Sequence, residues 1–230
     1  MSQLIRRVIF ALVLVLPGTG ATAQNPPTER DLRIYAGLHD AAARGDVDGI
    51  EKLIADGEKP NIQDSNSRTP LHVAVFRRHH AAARALIRLG ADPNALDAQH
   101  YDVVTIAAVD NDLEMLKIAL DGGSNPRAIT SPYRGTALIA AAHLGHVEAV
   151  RMLIAAKAPL NHVNSLGWTA LLEAIVLGNG GADHTETVEA LVQAGADVNL
   201  ADRDGTTALG HARTRGYSQI ARILERAGAH

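Results

Sequence analysis

The chain has 230 residues, 47% of them hydrophobic but only 3% aromatic, so its core is assembled from Ala, Leu, Ile and Val, which suits closely packed helices. It carries 22 Lys and Arg against 25 Asp and Glu, a formal net charge of −3, and lacks the basic excess that a nucleic-acid-binding face brings. The absence of Cys excludes disulfides, a thiol nucleophile and acylation of an N-terminal cysteine.

The first 23 residues read as a secretory signal. Arg6 and Arg7 form a basic start, Val8–Leu16 an apolar run, and Ala21-Thr22-Ala23 a small-residue cleavage pattern. The apolar run is far short of the roughly 20 residues that span a bilayer, so an uncleaved anchor is the lesser alternative. Cleavage after Ala23 would place the protein in the periplasm with no further membrane contact. Losing Arg6 and Arg7 would take its net charge from −3 to −5. Residues 24–30 are expected to be a linker and 31–230 the folded domain.

The stretch Thr69 to Ala74, "TPLHVA", is a helix start: the Thr hydroxyl can cap the first turn, and Pro70 sits where its missing N–H does no harm. Equivalent capping residues are Asp102, Thr136, Thr169 and Thr207, at steps of 33, 34, 33 and 38. Successive units carry a second segment with an apolar triplet at i, i+3, i+4, of which Ile50/Leu53/Ile54 and Val150/Leu153/Ile154 are examples. These segments stop at Gly57, Gly90, Gly123, Lys157, Gly195 and Gly228, positions that favour a left-handed residue. Lys157 is the departure. Ala41, Ala74, Ala107, Ala141, Ala174 and Ala212 recur in the first helices and permit close helix approach.

This pattern resembles the ankyrin repeat. "TPLHVA" matches the T-P-L-H-x-A signature, "GADPN" at Gly90–Asn94 and "GADVN" at Gly195–Asn199 are similar to its repeat ending, and "GHVEAVRMLI" to its second helix. The resemblance implies an all-α solenoid of six helix-turn-helix units with short β-hairpin-like loops, at about 31–64, 65–97, 98–131, 132–164, 165–202 and 203–230. The terminal units are expected to act as caps with a solvated outer face.

No P-loop, G-x-S-x-G or H-E-x-x-H motif is present, and a non-catalytic protein without cofactor is expected. The resemblance implies that a partner protein binds the hairpin tips and the concave face of first helices. The residue before each capping position is placed there: Arg68, Tyr101, Gly135, Trp168 and Thr206. Arg, Tyr and Trp dominate interface energetics, so Arg68, Tyr101 and Trp168 are candidate anchors, joined by Tyr133, Arg134 and Glu173. Asn66, Gln99, Leu166, Arg203 and Asp204 are neighbouring hairpin positions. The same aromatics could instead pack between adjacent hairpins.

The fifth unit carries five extra residues within "LGNGGADHTETVEA", Leu177 to Ala190, whose glycines suggest a flexible turn. Asp183 and His184 there could approach His143 and His146, a set suited to a divalent metal, with His79 and His80 less suited. His146 reads more simply as the His of the family's G-H turn. Two functions follow. One is an exported, monomeric protein-binding module, which by resemblance to small exported bacterial ankyrin proteins could support a partner enzyme in peroxide defence. The other is metal or small-ligand binding through residues 178–186.

Overall fold

The computed structural model describes residues 24–230, and the expected signal segment lies outside them. A short helix α1 (Glu29–Ile34) leads into six helix pairs: α2 (Gly37–Arg44) with α3 (Val47–Ala55), α4 (Pro70–Phe76) with α5 (His80–Arg88), and α6 (Val103–Val109) with α7 (Leu113–Asp121). Then come α8 (Ala137–Leu144) with α9 (Val147–Ala155), α10 (Ala170–Val176) with α11 (Ala182–Gln193), and α12 (Ala208–Thr214) with α13 (Ser218–Arg226). First helices pack on first helices and second on second, so the pairs stack as a solenoid. No strand forms among the described residues; isolated bridges at Thr130–Gly135 and Ala201–Thr207 mark two of the hairpins.

Local chemistry starts each pair. Thr69, Asp102, Thr136, Thr169 and Thr207 all cap first helices, each accepting from the backbone N–H three residues on. Packing then fixes the layer. The six recurring alanines are buried, and Ile50, Leu86, Leu116, Val150, Leu153, Val188 and Leu191 of the second-helix stripes are buried against them in one continuous cluster. The stop residues have positive φ throughout, from +86° at Gly228 to +102° at Gly57, and Lys157 takes the same turn at +67°.

The fifth-unit excess is absorbed by order rather than by a loose turn. Helix α11 runs 12 residues where the other second helices run nine. The glycines before it are required by contact: a Cβ on Gly178 would lie 2.0 Å from the Ala174 carbonyl, and one on Gly180 would lie 2.4 Å from the Tyr217 ring. Tyr217 in turn donates to the Gly178 carbonyl at 3.0 Å.

Two outcomes test this packing by denaturant titration. Leu153→Ala, which empties a completely buried site, is expected to cost about 2–5 kcal/mol. Lys157→Gly, which relieves a side chain held at positive φ, is expected to be neutral or to stabilise by up to about 1 kcal/mol.

Candidate functional site

Each hairpin preceding a first helix is closed by one side chain. The Asp64 Oδ1 accepts from the Asn66 and Arg68 amides at 2.8 and 2.9 Å. Asp97 does the same for Gln99 and Tyr101, Asn164 for Leu166 and Trp168, and Asp202 for Asp204 and Thr206. Successive tips are tied edge to edge: Ala98 N–H donates to the Asn66 carbonyl, Ser131 to His100 and Ser165 to Tyr133, at 2.8–2.9 Å. Beneath them, His39 Nε2 meets the Arg68 carbonyl at 2.9 Å and His72 Nε2 meets that of Tyr101 at 3.2 Å. His72 Nδ1 faces the Thr69 amide, so Nε2 carries the proton. Burial holds this imidazole below the usual histidine range.

This closure corrects the expected binding face. Arg68 is 1% exposed, Tyr101 5%, Trp168 6% and Glu173 4%, so none of the four offers a free surface. A hairpin whose first side chain gathers the amides of residues two and four on folds the fourth residue back into the stack. Tyr101 and Trp168 accordingly belong to the apolar cluster, packed between units. Arg68 turns inward to carboxylates: Nε lies 2.8 Å from Asp64 and Nη2 2.9 Å from Asp31. Glu173 takes the Asn164 amide at 2.8 Å on one oxygen and His143 Nδ1 at 2.9 Å on the other.

What remains open is different. Tyr133 and Leu166 are half-buried on the tips of units four and five, and Arg134, Arg203 and Asp204 are exposed. The Asn164–Glu173–His143 chain joins a hairpin to first helices α10 and α8, and His143 leaves its Nε2 without a partner among the described residues. At the end of α8 Leu144 is 40% exposed, and half-buried Leu177 follows α10. In the sixth unit His211 Nε2 meets Asp202 Oδ2 at 2.7 Å, and hydrogen bonds from the Thr206 amide and His211 hold that carboxyl low against the opposing effect of burial.

The second candidate set does not converge. His184 Nε2 faces the His143 carbonyl at 3.0 Å and its Nδ1 the Asn179 side-chain oxygen at 3.2 Å. His146 Nδ1 meets the Ala108 carbonyl at 2.9 Å, and Asp183 is exposed on its own. His79 likewise meets the Ala43 carbonyl, and His80 is held between Asp112 and Glu114. These histidines cap first-helix carbonyls or join ion pairs, and no group of three or more metal-ligating side chains occurs among the described residues.

The sequence reading missed the role of residues 25–35, treated as partly linker. The Asn25 N–H donates to Gln99 at 2.9 Å, its carbonyl accepts from Arg68 Nη1 at 3.2 Å, and Tyr35 O–H donates to Asp64 at 2.7 Å. One signal was available: Thr28 and Asp31 have the spacing of a helix-capping pair, and both reciprocal bonds form.

The family model described as ankyrin repeats (3 copies) matches residues 38–129 and 104–202, and that of ankyrin repeats (many copies) matches 181–225. The chain is 36% identical over 190 residues to the ankyrin repeat protein YahD of Escherichia coli (strain K12), covering 82% of this chain and 94% of YahD. A crystal structure of an ankyrin repeat domain from Acinetobacter baumannii AYE superposes with a TM-score of 0.81 at 46% identity, covering 84% of this chain and 98% of that one. The ankyrin repeat domain of Bcl-3, a member of the IkappaB family, superposes with a TM-score of 0.77 at 28% identity over 85% of this chain and 87% of its own.

Burial makes Trp168→Ala a stability variant: unfolding is expected to be easier by about 3–5 kcal/mol, read by denaturant titration. Stability is also tied to pH through His72. Its folded imidazole resists a proton that the unfolded chain accepts near 6.5, so this contribution is lost as pH falls through that value. Between pH 7.5 and 5.5, His72→Gln is expected to change less steeply with pH than the parent protein, whatever its absolute stability.

Proposed function

Because the chain belongs to the ankyrin repeat family, we propose that it is an exported, non-catalytic module that binds another protein through the hairpin tips and first-helix groove of units four to six. The observation that carries this reading is the exposure of the hairpin tips and first-helix end of units four and five beside anchor positions that are buried throughout the stack. The anchor-type residues Arg68, Tyr101, Trp168 and Glu173 are consumed internally, whereas Tyr133, Arg134, Leu166 and Leu144 lie open or half-open. A half-exposed tyrosine beside an arginine and leucines is the composition of an interface centre. No helix among the described residues is long and apolar enough to cross a membrane.

Export rests on the basic, apolar and small-residue succession of residues 1–23, and support of a partner enzyme in peroxide defence extends the resemblance to small exported bacterial ankyrin proteins. A monomer is proposed. The partner is another protein and not a nucleic acid, in keeping with the acidic balance of the chain.

Intact-mass measurement of periplasmic material is expected to give a chain beginning at Gln24; exported protein retaining residues 1–23 would overturn cleavage. Capture from periplasmic extract tests the interface. Tyr133→Ala and Arg134→Ala are expected to weaken capture of the partner by about thirtyfold or more, a loss of roughly 2 kcal/mol, with the unfolding midpoint little changed. Normal capture by both variants would remove the proposed surface.

A further inference from the structure

We propose that residues 25–35 form a displaceable strap over the hairpins of units two and three, occupying Arg68 as an acidic segment of a partner protein would. The inference rests on the protein-binding reading and assigns a second, latent part of that surface.

Ahead of Tyr35 the strap is held chiefly by polar bonds. Helix α1 contributes no buried residue, and its last residue, Ile34, is 70% exposed. Its shape is local, since the Thr28 hydroxyl and Asp31 carboxylate each bond the other residue's amide. Its attachment runs through one guanidinium. Arg68 Nη2 binds Asp31 at 2.9 Å and Nη1 the Asn25 carbonyl at 3.2 Å, while Asn25 N–H reaches Gln99 on the next tip at 2.9 Å. At the trailing end Tyr35 donates to Asp64 and packs half-buried against the core, its ring 5.2 Å from that of His39, so the strap is anchored there and displaceable ahead of it.

Lifting the strap would not unmake the hairpin. Asp64 remains on Arg68 Nε at 2.8 Å and on the amides of Asn66 and Arg68. Nη1 and Nη2 would then face outward beside Gln99, lacking a carboxylate and a carbonyl. An arginine pre-set by one acid on its Nε side takes a second carboxylate in fixed geometry, which a point-charge ligand would not exploit. The ligand class is therefore an extended polypeptide segment that presents an Asp or Glu and a free main-chain carbonyl. Because the strap is tethered, its effective concentration keeps weak free peptides out, so an incoming segment succeeds when other contacts add to the acid.

The probe is a fluorescein-labelled synthetic peptide of residues 24–35, followed by anisotropy against the purified protein. Asp31→Asn weakens the latch and leaves Arg68 in place; Tyr35→Phe removes the trailing bond to Asp64 from the strap alone, leaves the acceptor site intact, and serves if the first variant unfolds. Either is expected to bind the peptide at least about tenfold more tightly than the parent protein, and less tightly in about 0.5 M salt. A peptide carrying Asp31→Asn is expected to lose that binding. Equal affinity for parent and loosened proteins, or binding indifferent to the peptide's carboxylate, would overturn the strap. The partner is absent from this assay, so its failure is separable from failure of capture by the Tyr133 and Arg134 variants.

Discussion

A pair of helices seven to twelve residues long has one apolar stripe and nothing of its own to cover it, so every unit depends on its neighbours being held at a fixed angle and spacing. That spacing is set by small residues. Ala41, Ala74, Ala107, Ala141, Ala174 and Ala212 are all buried where first helices approach one another, and the second-helix stripes close the same core from the other side. The low aromatic content follows, since rings at these positions would push the layers apart.

Stacking leaves backbone groups at the joints, and the chain satisfies them with three rows of polar side chains. At the hairpins Asp64, Asp97, Asn164 and Asp202 each take two amides. At the turns between helices, His79, His146, His184 and Tyr217 each reach a carbonyl at or near the end of the preceding unit's first helix. At the repeat ends, Asn61 and Asn94 each donate to the carbonyl of Gly90 or Gly123 and accept the amide two residues further on. Most histidines are therefore structural donors to backbone carbonyls. The first unit, which has no such hairpin, replaces it with α1 and the Asp31–Arg68–Asp64 ion pairs.

The surface that remains for a partner is what these rows leave over. Where the hairpin residue just before the capping position is large, as at Tyr101 and Trp168, it is drawn into the core. Where that residue is Gly135, the tip projects Tyr133 and Arg134 instead. Exposed side-chain surface thus moves from the anchor position to the tip of the unit in which the anchor is smallest. At the other end of the stack, the strap covers equivalent ground with the chain's own acid.

The repeat period, the six helix pairs, the cap residues and the left-handed stops, Lys157 included, were legible in the amino-acid order, because each depends on contacts within a few residues. Side-chain direction at Arg68, Tyr101, Trp168 and Glu173 was not legible, nor was the course of residues 25–35. An arginine before a capping threonine has the same local geometry whether it faces water or two carboxylates, and Asp31 lies 37 residues away. The convergence of Asp183, His184, His143 and His146 failed for the same reason. Sequence spacing placed them at one end of the helices, but only the packed stack decided that His146 and His184 would turn to backbone carbonyls and His143 to the Glu173 carboxylate.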